Sequence, residues 1–297
     1  MVAGIDGGGT RTTLELWKES GEDRIRRTFG PFNLNSIGER KYRELLSEIF
    51  ETIAQSGECS KVCIGAAGIS NSDVGRIAHE AAEQYGFSDK LVLKGDQEIA
   101  LYGAMSGGAG AILISGTGSI CNGRDRNGRT VRAGGWGHLI DDVGSGYAIG
   151  RDVLTAVVRA YDGRGEETML TGLVQNYWDC KSIGEIIAKT YSSTDKSTIA
   201  ALSHAAEDGA SAGDSTAKKI LQKNAKDLCE LAFTVYRRLG EQTMPLCLMG
   251  GLLTHQTIFR QEVETRIKTG YEGILLKQPD MDAASGAALW AWNLSLS

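Results

Sequence analysis

A carboxylate, three glycines and a threonine stand together near the start of the chain, between two predicted strands. The apolar run at 2–5 predicts a buried strand, and the alternation from Thr12 to Trp17 predicts a second one. The residues between them that could bind a ligand are Asp6, Gly7, Gly8, Gly9 and Thr10. Consecutive glycines let backbone amides point at an anion such as a phosphate. A hairpin turn without a ligand is the alternative, although such turns rarely need three glycines in a row.

Two further predicted strands end in small-residue loops of the same kind. An apolar strand at 112–114 precedes the second loop, and a strand at 246–249 precedes a pair of glycines. The loop residues that could face a nucleotide are Gly116, Thr117, Gly118, Gly250 and Gly251. Asp6 supplies the carboxylate oxygens that suit the Mg²⁺ accompanying a nucleotide. The glycine patterns of P-loops and of dinucleotide-binding folds are not present in usable form, which argues against an oxidoreductase.

The three motifs resemble, in order and spacing, the phosphate-1, phosphate-2 and adenosine motifs of the sugar kinase/actin/chaperone ATPase superfamily. The run Gly-Gly-Trp-Gly-His at 134–138, followed by Asp-Val-Gly-Ser at 142–145, resembles the N-acetylglucosamine kinases within the BadF/BadG-type ATPases. The likeness covers nearly the whole chain. It implies an ATP- and Mg²⁺-dependent kinase for a small sugar, with the 6-hydroxyl of N-acetylglucosamine or N-acetylmuramic acid as the first candidate. Thr10 and Thr117 would donate hydroxyls to the phosphates.

The order of predicted elements describes an α/β protein in two halves. With the resemblance, it implies two ribonuclease H-like (actin-like) domains facing a nucleotide and sugar cleft, with extra helices in the second domain. The expected domains are 1–108 plus 282–297, and 109–281. The main predicted helices lie at 39–55, 72–85, 97–105, 145–161, 256–268 and 282–293. The last helix is rich in alanine, and the resemblance implies that it crosses back onto the N-terminal half.

Asp96 follows a predicted strand at 91–95 and precedes a predicted helix. Transfer of a phosphoryl group to a sugar needs a carboxylate that accepts the proton of the attacking hydroxyl. The position also suits a helix N-cap, a role that aspartate often fills. The resemblance matches Asp96 to the catalytic aspartate, which would contact the sugar as well.

The tryptophan loop is the predicted sugar-binding loop. Gly135 would bring backbone close to the sugar, Trp136 would pack on its apolar face or on an acetyl methyl group, and Asp142 would accept bonds from sugar hydroxyls. Asp141 competes with Asp142 for this role, although the family pattern favours Asp142. Trp136 could instead only anchor the loop. His138 is expected to be a structural donor.

Asn33 is the last predicted sugar ligand. It matches the family's sugar-binding asparagine when Gly38 is aligned with the family glycine. Asn35, two residues further on, is the competing candidate, and a loop-capping asparagine is the alternative without a ligand.

Composition narrows the possible partners. The 297 residues carry a formal net charge of −5, and 39 of them are glycine, about twice the usual share of roughly 7%. The longest basic cluster is Arg24–Arg27, so nucleic acid is not an expected partner. No apolar run approaches the length of a membrane span, and no basic-then-apolar leader is visible, so we expect a cytoplasmic protein. We also expect a homodimer.

Two other functions compete with an N-acetylated amino sugar kinase. A glucosamine kinase or a broad-specificity hexose kinase would share the fold, and Trp136 favours an acetylated sugar over both. An ATP-driven iron–sulfur activator of a dehydratase or reductase would share the nucleotide motifs. That protein needs paired cysteines at a dimer interface, whereas Cys121 and Cys180 are far apart in this sequence.

Overall fold

The computed structural model divides the chain into two compact units. One unit contains residues 1–109 and 278–297, and the other contains 110–277. The residues that the structure describes are 1–18, 23–69, 72–192 and 195–296.

Within these described ranges the chain forms ten strands and thirteen helices. The strands are β1 (Val2–Gly7), β2 (Thr12–Trp17), β3 (Arg24–Phe29), β4 (Lys61–Ala66), β5 (Leu91–Lys94), β6 (Gly110–Ser115), β7 (Ser119–Arg124), β8 (Thr130–Gly134), β9 (Met244–Met249) and β10 (Ile274–Lys277). The helices are α1 (Leu34–Ile37), α2 (Glu39–Gln55), α3 (Ser72–Gln84), α4 (Asp96–Ala104), α5 (Gly146–Tyr161), α6 (Leu170–Trp178), α7 (Ile183–Ser192), α8 (Lys196–Ala200), α9 (Ser203–Ser211), α10 (Ser215–Leu239), α11 (Gly251–His255), α12 (Thr257–Gly270) and α13 (Ala283–Ser295).

The first unit is built on a mixed five-stranded sheet in the order β3-β2-β1-β4-β5. The strands β1, β2 and β3 form an antiparallel meander, while β4 and β5 continue the sheet in parallel with β1. The helix α2 packs through apolar residues spaced three and four apart, from Tyr42 to Ile53, into a core that includes Ile5 and Leu14. Asp6 and its glycine loop therefore lie at the end of a central, buried strand.

The final helix α13 packs on β1 and α4, as the family resemblance implied. Glycines make this approach possible, because a Cβ built on Gly4 would lie 2.1 Å from the backbone nitrogen of Ala288. A Cβ on Gly286 would lie 2.1 Å from the carbonyl oxygen of Ile99. These contacts join backbone to backbone, so no side-chain rearrangement can make room for a methyl group.

The second unit repeats the connectivity of the first. Its sheet has the order β10-β9-β6-β7-β8, with β6, β7 and β8 antiparallel and β9 and β10 parallel to β6. The helices α6 to α9 are additional, and the long helix α10 buries an apolar stripe from Ala217 to Val235. The two sheets of the same topology confirm the predicted α/β, actin-like fold class.

The predicted helix at 256–268 corresponds to α12 (Thr257–Gly270), and the short helix α11 just before it was not predicted. Gln256 adopts an extended conformation between α11 and α12, which ends one helix and begins the next. The carboxylate of Glu207 accepts hydrogen bonds from the amides of Ile258 (2.5 Å) and Phe259 (3.3 Å) at the start of α12. The residue that provides this cap stands 51 positions earlier, so the contact itself could not be inferred from local sequence. Across the described ranges, no helix is long and apolar enough to cross a bilayer.

Replacing Gly4 by alanine should destabilise the first unit. The added methyl group overlaps the backbone of α13, and such overpacking costs about 1–3 kcal/mol or more. Gly172 in α6 is a matched control, because a Cβ there meets nothing within 4 Å. Gly172→Ala should raise stability by up to about 1 kcal/mol through helix propensity. Thermal melting of both variants checks this, and a Gly4→Ala protein that melts with the wild type would contradict the packing.

Candidate active site

The loop after β1 is held by hydrogen bonds at its base and is exposed to solvent at its tip. Gly8 donates its amide to the carbonyl of Arg11 (3.0 Å), and its own carbonyl accepts from the amide of Phe32 (2.9 Å). Gly7 packs on the Phe32 ring, where a Cβ would lie 2.7 Å from the ring carbons. Gly9 and Thr10 are exposed. The tip can therefore present backbone amides and the threonine hydroxyl to an anion.

Asp6 lies next to two other carboxylates of the same unit. The pKa of Asp6 is raised to about 6, chiefly by burial and then by the negative charges of Asp282 and Asp96, while Arg11 and Arg26 oppose the shift. Asp282 is the N-cap of α13, where it accepts from the amide of Ser285 (3.0 Å). Its other oxygen pairs with Arg26.

A divalent cation fits this crowding of negative charge. Carboxylate oxygens are its preferred ligands, and its charge would relieve the repulsion that Asp6 experiences. Among the described residues, no group of three or more acidic, histidine or cysteine side chains is placed to hold a metal ion by itself. Mg²⁺ commonly binds through one or two carboxylates together with substrate phosphates. Asp6 could hold the ion in that way.

Asp96 is the first residue of α4 but does not cap it. Gly95 occupies the N-cap position, and its amide donates to a side-chain oxygen of Glu98 (2.7 Å). The capping role that the sequence left open for Asp96 is thus filled by other residues. The Asp96 carboxylate follows the end of β5 and is close enough to Asp6 to influence its pKa.

Asn33 caps the short helix α1. Its side-chain oxygen accepts from the amide of Asn35 (3.1 Å), and both residues are exposed. The capping bond uses the oxygen of the Asn33 amide, so its NH₂ group is the part that could donate to a ligand.

In the second unit, the loop Gly116–Gly118 is joined to the loop that carries Asp142. Ser115 and Ser119 donate their hydroxyls to the carbonyls of Gly144 (2.8 Å) and Val143 (2.7 Å). Asp142 is 5% exposed and has a left-handed φ of 56°. Its carboxylate lies against Gly118, where a Cβ would be 2.8 Å from Oδ2. Asp142 is thus buried against the second glycine loop.

The paired glycines after β9 lie against the same loop. Gly250 has a φ of 92°, and a Cβ on it would lie 2.3 Å from the carbonyl oxygen of Ser115. The helix α11 begins at Gly251. A cavity of about 370 Å³ within this unit is lined by both glycine motifs and by α8, α9 and α11. Its lining residues include Gly116, Thr117, Ser203, His204, Gly251 and His255.

The tryptophan loop is shaped by glycines and by two polar side chains. Gly134, Gly135 and Gly137 all have positive φ. Trp136 is 68% exposed, and its amide donates to the carboxylate of Asp141 (3.2 Å). Asp141 therefore has a structural contact in the loop, whereas Asp142 lies against Gly118. The His138 ring packs edge-on against Tyr147, with centroids 4.6 Å apart.

Three residues near these groups were not found from the sequence. Arg26 and Asp282 form an ion pair beside Asp6, although they are 256 positions apart. Arg132 stacks on Trp136 with its Cζ 3.9 Å from the ring centroid. Asp282 stands three residues before Ser285 at the start of a predicted helix, which is a recognisable N-cap signal. Nothing local marks Arg26 or Arg132.

The fold and these motifs define a protein of the two-unit, actin-like ATPase class. The chain belongs to the BadF/BadG/BcrA/BcrD ATPase family, whose model matches residues 3–291. This confirms the family resemblance and ATP use predicted from the motifs.

Known proteins resemble the chain over nearly its full length. The N-acetylmuramic acid/N-acetylglucosamine kinase of Clostridium acetobutylicum is 34% identical over 98% of this chain and 97% of its own. The N-acetyl-D-glucosamine kinase of Dictyostelium discoideum is 30% identical over 99% and 98%. A solved structure from Chromobacterium violaceum, provisionally described as an N-acetylglucosamine kinase, shares the fold with a TM-score of 0.74, 24% identity and 98% coverage of both chains.

Replacing Asp6 by asparagine should stabilise the metal-free protein at neutral and alkaline pH. A carboxyl whose folded pKa lies at about 6, above the usual value near 4, favours folding below pH 4, and this contribution is lost as the pH rises through 6. Above that window the charged Asp6 costs about 1–3 kcal/mol, which the variant avoids. Melting with a chelator should therefore show a stabilised variant at pH 8 and a smaller difference at pH 4.5. If the variant raised the melting temperature equally at both pH values, the charge on Asp6 would not be the cause of the stabilisation.

Proposed function

We propose that this chain transfers the γ-phosphoryl group of ATP to the 6-hydroxyl of an amino sugar, either N-acetylglucosamine or N-acetylmuramic acid. The observation that carries the proposal is the Asp96 carboxylate, which follows a strand end beside Asp6 and is not used as a helix cap. A carboxylate in this position can accept the proton of a sugar hydroxyl as the hydroxyl attacks. The two curated relatives described above are kinases of such sugars.

On this proposal the glycine loops bind the nucleotide. Backbone amides and hydroxyls at 7–10 and 116–118 contact the phosphates, and the cavity beside Gly250 and Gly251 takes the adenosine. Asp6 holds Mg²⁺, which when bound neutralises the charge of the phosphates.

The residues proposed to contact the sugar are those predicted from the sequence. They are Asn33, Asp96, Gly135, Trp136 and Asp142. The exposed indole of Trp136 supports an N-acetylated sugar, because an acetyl methyl group can pack on it. We also propose that the protein works in the cytoplasm as a homodimer, which light scattering of the purified protein tests.

Replacing Asp96 by asparagine should lower kcat by about 10²–10⁴, the usual contribution of a general base. Sugar affinity should change much less, because asparagine keeps most of the hydrogen bonding. Asp89, an exposed aspartate just before β5, is the matched control, and Asp89→Asn should turn over like the wild type. A coupled assay with N-acetylglucosamine measures both. If Asp96→Asn keeps more than about a third of wild-type turnover, the base is another residue.

Replacing Trp136 by alanine should discriminate between sugars. Loss of the indole removes apolar contact worth about 1–3 kcal/mol from N-acetylated sugars and less from glucosamine or glucose. Leu139→Ala is the matched control, because Leu139 is an exposed apolar residue of the same loop. The measurements are kcat/KM for each sugar and a melting curve. An equal loss on all sugars, together with a lower melting temperature, would assign Trp136 to anchoring the loop.

A further inference from the structure

Arg132 holds the Trp136 loop through three contacts. Its guanidinium stacks on the indole, with Cζ 3.9 Å from the ring centroid. Its Nε donates to the carbonyl of Gly134 (3.1 Å), and its Nη2 donates to the carbonyl of Gly135 (3.4 Å). The two carbonyls belong to residues with φ near +77° and +75°. One planar group thus contacts both the backbone that turns into the loop and the side chain at its tip.

Arg132 is itself fixed by the body of the second unit. It lies on β8, where it pairs with Asn122 of β7. Its own carbonyl accepts from Nη1 of Arg238 (2.9 Å), the residue before the last of α10. The side chain of Arg132 is half-buried. The backbone of Arg132 is therefore held by the sheet and by the long helix, whereas Trp136 stands on a glycine-rich loop.

Stacking on one side leaves the indole with one usable face. The guanidinium covers one face, yet Trp136 remains 68% exposed, so the opposite face is open. An indole on a glycine-rich loop could otherwise rotate about its side-chain torsions, and ordering it on substrate binding would weaken affinity. Contact with Arg132 fixes the indole plane before any ligand arrives.

We propose that Arg132 is a positioning residue that sets the preference for N-acetylated sugars by fixing the plane of Trp136. The inference rests on the sugar-binding role of Trp136 under the proposed function. Arg132 has no proton-transfer role, so its loss should raise KM and leave kcat nearly unchanged. Its contribution should appear with a sugar whose acetyl group packs on the indole and be nearly absent with a sugar that lacks it.

Two substitutions of Arg132 distinguish the role of its planar guanidinium from the role of its positive charge. Arg132→Met keeps a long apolar stem against the indole but removes the planar, two-carbonyl donor. Arg132→Lys keeps the charge but cannot stack as a plane or donate in a fork. Both should lower kcat/KM for N-acetylglucosamine by about 3- to 10-fold, the size expected when one side chain must be ordered on binding, and for glucosamine by less than about 2-fold. Full retention of the preference in either variant overturns the proposal.

A double-mutant cycle tests whether Arg132 acts through Trp136. In the Trp136→Ala background, Arg132→Met should cause no further loss of preference, because the indole it positions is gone. The same loss in both backgrounds would mean that Arg132 acts independently, and would overturn the proposal. Arg126→Met is the control, since Arg126 is an exposed arginine in the turn between β7 and β8. That variant should keep wild-type kinetics with both sugars.

Two outcomes of the same experiment distinguish the inference from the function on which it rests. A wild-type protein that phosphorylates no amino sugar in the coupled assay contradicts the proposed function. A wild-type protein that prefers N-acetylglucosamine, with Arg132 variants of unchanged preference and melting temperature, contradicts only the role of Arg132. An equal rise of KM for both sugars with a lower melting temperature would make Arg132 a purely structural residue, which also overturns the proposal.

Discussion

Crowding of negative charge at one end of the first sheet is the constraint on which the rest of that unit depends. Three carboxylates meet there: Asp6 lies on β1, Asp96 begins α4 and Asp282 caps α13. Burial strengthens the repulsion between their charges. The glycine contacts that bring α13 onto β1 and α4 are what place Asp282 in the group. Arg26 offsets part of the charge and is held by Asp282 in return. The arrangement resembles other functional sites, where local instability is tolerated for binding or chemistry.

The second unit uses the same sheet topology, and glycines are again points of close approach. Gly250 lies against the Ser115 carbonyl, and Gly118 lies against the Asp142 carboxylate. The serines at either end of the 116–118 loop bond to the chain after Asp142. Hydrogen bonds and close glycine contacts therefore pack together three loops that are distant in sequence: the 116–118 loop, the loop that carries Asp142 and the loop at Gly250.

The sequence predicted the parts of the molecule that depend on local pattern. The alternation at Thr12–Trp17 and the helical spacing at Glu39–Gln55 were sufficient to place β2 and α2. One face of α2 is buried, whereas all six residues of β2 are buried. Individual side-chain contacts were not predictable in this way, whether they are local or distant in sequence. Glu98 rather than Asp96 binds the amide at the start of α4, and Arg132 contacts Trp136 four residues later. Glu207 caps the start of α12 from 51 positions away, a contact that only the folded chain creates. The glycine motifs were visible, but the burial of Asp142 against one of them was not.

The contact between Asp142 and Gly118 also has a thermodynamic consequence. With no Cβ between them, the carboxylate of one loop lies directly against the backbone of the other, and the two serine bonds join the same loops. A ligand that separates the loops must break these contacts. Linkage makes such coupling reciprocal, so whatever one ligand does to the affinity of a second, the second does equally to the first. The glycine at position 118 thus places the two loops in direct contact, which is the condition for such coupling.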